Sequence, residues 1–170
     1  APFKCREALA KCLKMDLNDV RVIKMAVGGG FGGKLEMLPM DFAACLLSKK
    51  AGGLPVKICC TREEEFLATR RKHGMIYKIK SGVKKDGTLV AITGEVIADG
   101  GAYCSFGIAT VYYAGSLLAA PYRLPNLRFK GVRAVTNKPV CGAQRGHGGV
   151  IARALFEMQL DRFADLAVHF

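Results

Sequence analysis

Residues 21–37 read RVIKMAVGGGFGGKLEM, an apolar run followed by five glycines interrupted only by Phe31 and closed by Lys34. Glycine at so many adjacent positions commits the backbone to dihedrals or close approaches that a Cβ would forbid. It also leaves main-chain N–H groups free to converge on an anion or an oxo group. A second cluster, CGAQRGHGG at 141–149, again follows an alternating segment and precedes a helical pattern. The unit strand, glycine loop, helix is therefore expected twice, and any fold for this chain has to accommodate both copies.

Around these loops the chain of 170 residues, 51% of them apolar, is long enough to bury about two thirds of its unfolded surface. The longest apolar stretch, 108–120, falls short of a membrane span. No charged-then-apolar leader is visible, so a cytoplasmic address is expected. The chain starts at Ala1-Pro2 and stops inside a helical pattern at Ala167-Val168-His169-Phe170, which suggests a fragment of a longer polypeptide. Seven cysteines (Cys5, Cys12, Cys45, Cys59, Cys60, Cys104, Cys141) lack any CxxC pair and read as reduced, mostly buried small hydrophobes. Neither they nor the three histidines show zinc-ligand spacing, and His73 and His169 read as surface residues. The formal charge of +12 is spread along the chain in ones and twos. Nothing resembles a basic recognition helix or an aromatic platform, so an acidic neighbouring subunit or an anionic cofactor accounts for the excess better than nucleic acid.

Residues 3–15 place Cys5, Ala8, Leu9, Cys12 and Leu13 on one helical face. Residues 20–27 read as a strand entering the first loop, and 36–50 as a helix with Pro39 in its first turn and Gly52-Gly53 as its stop. Residues 55–61 read as a short strand, followed by a helix start at REEEFLA, whose three glutamates suit a positive helix N-terminus. Residues 75–83 and 89–98 alternate on either side of Lys85-Asp86-Gly87 and predict a hairpin. Residues 106–119 read as a small-residue helix or an irregular packed segment. The stretch NLRFKGVRAVTNKP reads as a strand, and 150–170 as a long helix with Ala152, Phe156, Leu160, Phe163, Ala167 and Phe170 on one side.

Four readings compete for the first loop. Gly28 to Lys34 meets seven positions of the nucleotide-hydrolase phosphate loop, but the eighth is Leu35, with no hydroxyl for Mg²⁺. Gly28, Gly30 and Gly33 meet the dinucleotide fingerprint, yet the strand after it ends in Arg62 where an acid is expected. A third reading is structural, with a tight turn and Phe31 as a core plug. Against that stands the second loop, where Arg145 and His147 sit among glycines in the same context.

The fourth reading is a resemblance. GGGFGGK followed by a helix, then PVKICCTREEE, then LPN with a strand, then RGHGG before a long helix, resembles the molybdenum-binding portion of the large subunit of molybdenum hydroxylases. That family includes xanthine dehydrogenase, aldehyde oxidoreductase, aerobic carbon monoxide dehydrogenase and 4-hydroxybenzoyl-CoA reductase. The similarity runs in order from about residue 5 to 168. It implies an α+β fold of mostly antiparallel strands with packed helices, residues 1–170 forming one segment of a molybdenum-cofactor-binding domain. It implies molybdopterin with molybdenum as cofactor, in the cytosine dinucleotide form. Iron–sulfur clusters and FAD are then expected on partner chains or domains, alongside the rest of the large subunit.

Carried over residue by residue, the resemblance assigns cofactor binding to Gly29, Gly30, Phe31 and Gly32 and to Arg145 and Gly146. It puts Leu35, Tyr113 and His147 on the substrate side. Leu35 stands where the purine-oxidising branch has glutamate, Tyr113 falls where that branch has its substrate arginine, and RGHG looks most like the hydroxybenzoyl-CoA reductase relatives. His147 reads either as a donor or proton shuttle for a substrate or as a loop residue satisfying backbone carbonyls. Tyr112 and Tyr113 read either as channel lining or as core packing. The reaction implied is hydroxylation, or reductive dehydroxylation, of a small aromatic, heterocyclic, aldehyde or acyl-CoA substrate. The family's catalytic glutamate lies in a segment not found here, and Glu36, Glu63, Glu64 and Glu65 look like exposed acids at helix starts. The chain is thus expected to be incomplete alone. The alternative is a non-catalytic, NADP-type nucleotide- or cofactor-binding module that docks to an acidic partner.

Overall fold

The structure, a computed structural model, describes residues 1–168, so the expectations for His169 and Phe170 lie outside the described residues. The chain divides into two compact units, one spanning Ala1–Thr69 and one beginning at Arg70.

In the first unit, α1 (Pro2–Leu13) begins with proline at its first position and ends at Lys14, whose left-handed backbone returns its N–H to the Ala10 carbonyl. A 3₁₀ turn, Leu17–Asp19, follows, capped by the Asp16 carboxylate accepting from the Asn18 N–H at 2.9 Å. The second helix, α2 (Pro39–Lys50), starts three residues later than the apolar pattern suggests. Pro39 sets the start because it fits only where its missing N–H is not needed. The Asp41 carboxylate accepts from the Leu38 N–H at 2.8 Å. At the other end the Gly53 N–H reaches back to the Ser48 carbonyl at 2.9 Å. For α3 (Arg62–Ala68) the start is a reciprocal cap: the Glu64 N–H donates to Thr61 Oγ1, and the Thr61 N–H donates to Glu64 Oε2.

The two strands expected in this unit do not form. Residues 20–27 and 55–61 carry no strand assignment, and apart from the Val20 N–H they donate no main-chain hydrogen bond to another main chain among the described residues. Ile23, Met25 and Leu54 lie exposed. Alternation and β-branching make a segment suited to a sheet, but a strand exists only when a neighbour supplies the ladder.

The second unit carries the sheet. β1 (Met75–Val83) and β2 (Leu89–Asp99) form the expected hairpin, antiparallel from Met75 opposite Ala98 to Ser81 opposite Ile92. Its turn is closed by the Lys84 N–H donating to the Thr88 carbonyl at 2.9 Å and by the Asp86 carboxylate accepting from the Thr88 N–H. β2 is followed by α4 (Gly107–Ser116) and β3 (Leu127–Ala134). β3 lies parallel to β2, from Ile92 beside Leu127 to Asp99 beside Ala134. The α+β reading holds, and the sheet, in the order β1-β2-β3, is mixed. The parallel pairing follows from α4, because a chain that re-enters a sheet in the same direction needs a crossover to return.

The core joins Ile92 of β2, Ala114 of α4, Leu118 and Ala119 just after it, and Ala152 and Phe156 of α5 (Gly149–Val168), with Tyr77, Ile79 and Phe129 packed on them. Of the seven cysteines only Cys141 is buried, and none is in a disulfide. The expectation of mostly buried thiols is therefore corrected. Cys12, Cys59 and Cys104 are exposed, and Cys5, Cys45 and Cys60 are half-buried.

Candidate functional site

The first glycine loop folds back on itself. The Gly33 N–H donates to the Gly30 carbonyl at 2.8 Å, the Leu35 N–H to the Gly32 carbonyl at 3.3 Å, and Lys34 Nζ to the Gly29 carbonyl at 2.7 Å. Phe31 adopts φ 49°, and a Cβ on Gly29 would stand 2.5 Å from its ring. A side chain at position 29 would have to displace that ring, on a backbone at φ 154° that favours glycine. The Phe31 ring is 64% exposed, which overturns its reading as a core plug. Both nucleotide patterns lose their context as well. No ladder strand precedes the loop among the described residues, and α2 begins only at Pro39, so no helix N-terminus stands behind Lys34 to receive a phosphate. What the loop does offer is its main chain: among the described residues the N–H groups of Gly29, Gly30 and Gly32 enter no main-chain hydrogen bond.

The second loop is built on α4 and α5. Gly146 (φ 86°), His147 (φ 42°) and Gly148 (φ 88°) run in succession through left-handed conformations. The turn is closed by the His147 N–H donating to the Gln144 carbonyl and the Gly149 N–H donating to the Gly146 carbonyl, each at 2.8 Å. A Cβ on Gly148 would come within 2.2 Å of the Thr110 carbonyl oxygen, so the loop lies directly against α4. The N–H groups of Gly146 and Gly148 enter no main-chain bond among the described residues. Arg145, at the head of the loop, is exposed.

Tyr113 meets His147 edge to face at 5.2 Å between ring centroids, Tyr112 meets Tyr113 at 5.6 Å, and Phe106 stands 6.4 Å from His147. The structure thus brings together two of the three residues expected on the substrate side, Tyr113 and His147. Both tyrosines are exposed, so the core-packing reading of Tyr112 and Tyr113 gives way to a surface one. Leu35 belongs to the first loop and is half-buried. Glu36, expected as an exposed acid at a helix start, is half-buried in the turn before α2, whereas Glu63, Glu64 and Glu65 are exposed at the start of α3.

Beneath the second loop lies a group of polar side chains that sequence reasoning missed. His73, expected at the surface, is only 3% exposed. Burial first, and then the cations Arg133 and Arg71 with His147, push its pKa down to about 4, so the ring is neutral near pH 7. His147 is also shifted downward, by burial. A cavity of about 10 Å³ is lined by His73, Thr110, Gln144, His147 and Gly148. His73 Nε2 and Thr110 Oγ1 are buried without a protein partner. Such a space suits a single water.

Near His73, Asp99 ties three chain segments together. It accepts from Arg71 Nη2 at 2.8 Å, Thr136 Oγ1 at 2.6 Å and the Gly101 N–H at 3.0 Å, with Lys138 Nζ at 3.2 Å. These donors hold its carboxyl well below the usual carboxylate range. Arg71 also pairs through its main chain with Val140 and Gly142, which fixes the entry to the second loop. His73 follows the basic cluster Arg70-Arg71-Lys72, and no local signal marks it as buried.

Comparison with known proteins gives a consistent family. Residues 1–167 match the family described as the molybdopterin cofactor-binding domain. The chain is 36% identical over 165 residues to the nicotinate dehydrogenase large molybdopterin subunit of Eubacterium barkeri, covering 96% of this chain and 38% of that one. It is 38% identical over 160 residues to the xanthine dehydrogenase molybdenum-binding subunit of Escherichia coli O157:H7, covering 94% of this chain and 21% of that one. In structure it is similar to quinoline 2-oxidoreductase from Pseudomonas putida 86, with TM-score 0.81, 29% identity, and coverage of 95% of this chain and 21% of that one. It is also similar to aldehyde oxidoreductase from Desulfovibrio gigas, with TM-score 0.77, 25% identity, and coverage of 94% and 18%. The chain thus spans about a fifth of the length of its xanthine dehydrogenase relatives.

Proposed function

The chain belongs to the molybdopterin cofactor-binding domain family, and on that premise we propose that its two glycine loops hold the anionic, oxygen-rich parts of a molybdenum pyranopterin within a longer oxidoreductase subunit. The observation that carries this reading is the unspent main chain. Gly29, Gly30 and Gly32 in one loop, and Gly146 and Gly148 in the other, present N–H groups not used in main-chain bonds among the described residues. A Cβ on Gly148 would collide with the Thr110 carbonyl oxygen, and one on Gly29 would meet the Phe31 ring. Fixed amide donors stabilise negative charge without reorganising when it grows, so a metal-oxo or phosphate group fits this donor set.

When bound, the cofactor supplies the two-electron redox chemistry. The chain's own residues bind and orient. Phe31, held by its left-handed backbone, projects from the first loop, and Leu35 adds an apolar side chain in the same turn. Arg145 supplies a cation at the head of the second loop. Tyr113 and His147 face the substrate, and the neutral His147 ring is able to donate to, or accept from, a substrate heteroatom at neutral pH. An aromatic pair of this kind suits a flat, uncharged aromatic or heterocyclic substrate better than an ionic one. The general base comes from a part of the subunit outside these residues. Iron–sulfur and flavin groups on other domains or chains take the electrons, and the pterin is in the cytosine dinucleotide form.

The test is cofactor content. Complete protein purified with its remaining chain should contain about one molybdenum and one acid-releasable cytosine nucleotide per site, and Gly29→Val should lose both while keeping its far-UV circular dichroism. A folded, metal-free protein that binds NADP tightly would establish the nucleotide-module alternative instead.

A further inference from the structure

His73 and Thr110 are each 3% exposed, and each keeps a buried polar atom, Nε2 and Oγ1, without a protein partner among the described residues. Leaving such atoms unbonded is costly, so a buried pair of this kind points to a ligand. Both side chains border the cavity of about 10 Å³ that Gln144 and His147 also line. That space holds about one water, which needs two to four polar partners, and these residues supply them. A cation fits worse, because the lining contains Lys72 and no carboxylate. Every lining residue belongs to the second unit. The walls of the site are therefore set by this chain, whatever else covers its surface. They also come from three separate segments: the approach to β1, the α4 helix, and the second glycine loop, whose Gly148 lies directly on the Thr110 carbonyl.

We propose that His73 and Thr110 hold one ordered water, and that this water orients the His147 ring, so that both are positioning residues for the substrate side. The proposal rests on the reading of His147 as a substrate-facing residue. The His147 backbone is already fixed, at φ 42° and with its N–H on the Gln144 carbonyl at 2.8 Å. Tyr113 and Phe106 stand against the imidazole edge to face, at 5.2 Å and 6.4 Å. Such ring contacts limit its tilt, but they do not distinguish its two nitrogens. A hydrogen bond does. In a neutral imidazole one nitrogen donates and the other accepts, and the bond made by one settles what the other offers. A water anchored on His73 and Thr110 supplies that bond from the cavity side, which leaves the outward nitrogen in one defined state. His73 suits the anchor because its ring is neutral and so keeps an acceptor nitrogen. It is flanked by Arg133, whose Nε lies 2.2 Å from the place of a Cβ on Gly107 while His73 Nε2 lies 2.8 Å from it. Arg71 and His147 add to this, and Asp99 opposes it, so the surroundings as a whole disfavour a charged ring.

Crystal structures of the complete protein, as wild type and with two substitutions of one side chain, test the proposal. In the wild type a water should lie within about 3.2 Å of His73 Nε2, Thr110 Oγ1 and one His147 nitrogen. Thr110→Val, which keeps the shape and removes the hydroxyl, should lose that water and let the His147 ring turn. Thr110→Ser, which restores the hydroxyl, should restore the water and the wild-type ring orientation. The thermal midpoint gives a readout whose sign decides. With the water bound, Thr110→Val strands His73 and lowers the midpoint. With the hydroxyl truly unbonded, the same substitution removes a buried unsatisfied group and raises it. A raised midpoint, a cavity filled by a side chain from the rest of the subunit, or a His147 ring that keeps its orientation in Thr110→Val would overturn the proposal. Molybdenum content of the same preparations reports on the glycine loops separately. Full molybdenum without the water ends this proposal alone, and the water in a protein that never takes up molybdenum ends the cofactor reading alone.

Discussion

A Cβ at residue 148 would collide with the Thr110 carbonyl oxygen at 2.2 Å, on a backbone whose φ of 88° already disfavours side chains. Gly148→Ala should therefore cost about 2 kcal/mol or more, measured by denaturant unfolding, and cofactor content should fall with it. His73 makes a second residue-scale prediction. Its folded pKa, about 4, lies below the usual value near 6.5, so the unfolded state binds the proton more readily. Above about pH 6.5 the histidine has no effect on the pH dependence of stability. As pH falls from there towards 4, stability drops with a slope approaching about 1.4 kcal/mol per pH unit. Comparing wild type with His73→Gln by unfolding at pH 7 and pH 5 isolates that slope, which the variant should lack. The glycines of both loops were legible as backbone devices because left-handed dihedrals and close approaches, as at Gly146 and Gly148, favour a residue without a Cβ. The burial of His73 was not legible, because it depends on Arg133, Thr110 and Gly107, which lie far off in the chain.

At the scale of elements, the hairpin and α5 came out as their patterns predict. Alternation over 75–99 with an Asp-Gly turn, and apolar residues every third or fourth position over 152–163, are local signals, and the contacts they need lie within the same unit. Phe156 is fully buried and meets Tyr122 edge to face at 5.4 Å. Phe156→Ala should cost about 3–5 kcal/mol, seen as a lowered denaturation midpoint. Asp99 joins the end of β2 to segments 71 and 136–138, and Asp99→Ala strands four donors at once. A loss of about 2–4 kcal/mol is expected at pH 7. Because the native carboxyl titrates below its unfolded value, this stabilisation is present above about pH 4 and is lost as the solution becomes more acidic. The segments 20–27 and 55–61 also carry strand signals, yet no ladder forms for them among the described residues.

For the molecule as a whole, this contrast predicts an uneven pattern of protection. In hydrogen exchange, the amides of 21–27 and 54–60 should exchange within seconds, whereas β2, bonded on both sides, should exchange slowest of all. Slow exchange at 20–27 in the 170-residue chain would contradict the unpaired backbone seen here. By itself the sequence determined where the backbone must turn without side chains, which segments are amphipathic, and which family the order of motifs belongs to. The first two are set by steric limits and by spacing along the chain, and the third is a resemblance in the order of motifs. Only the tertiary structure decided that β3 runs parallel to β2, that Phe31 faces outward, that Tyr113 meets His147, and that His73 and Thr110 border one cavity. All of these depend on which distant segments become neighbours, and pairing between strands is a relation that no single segment encodes.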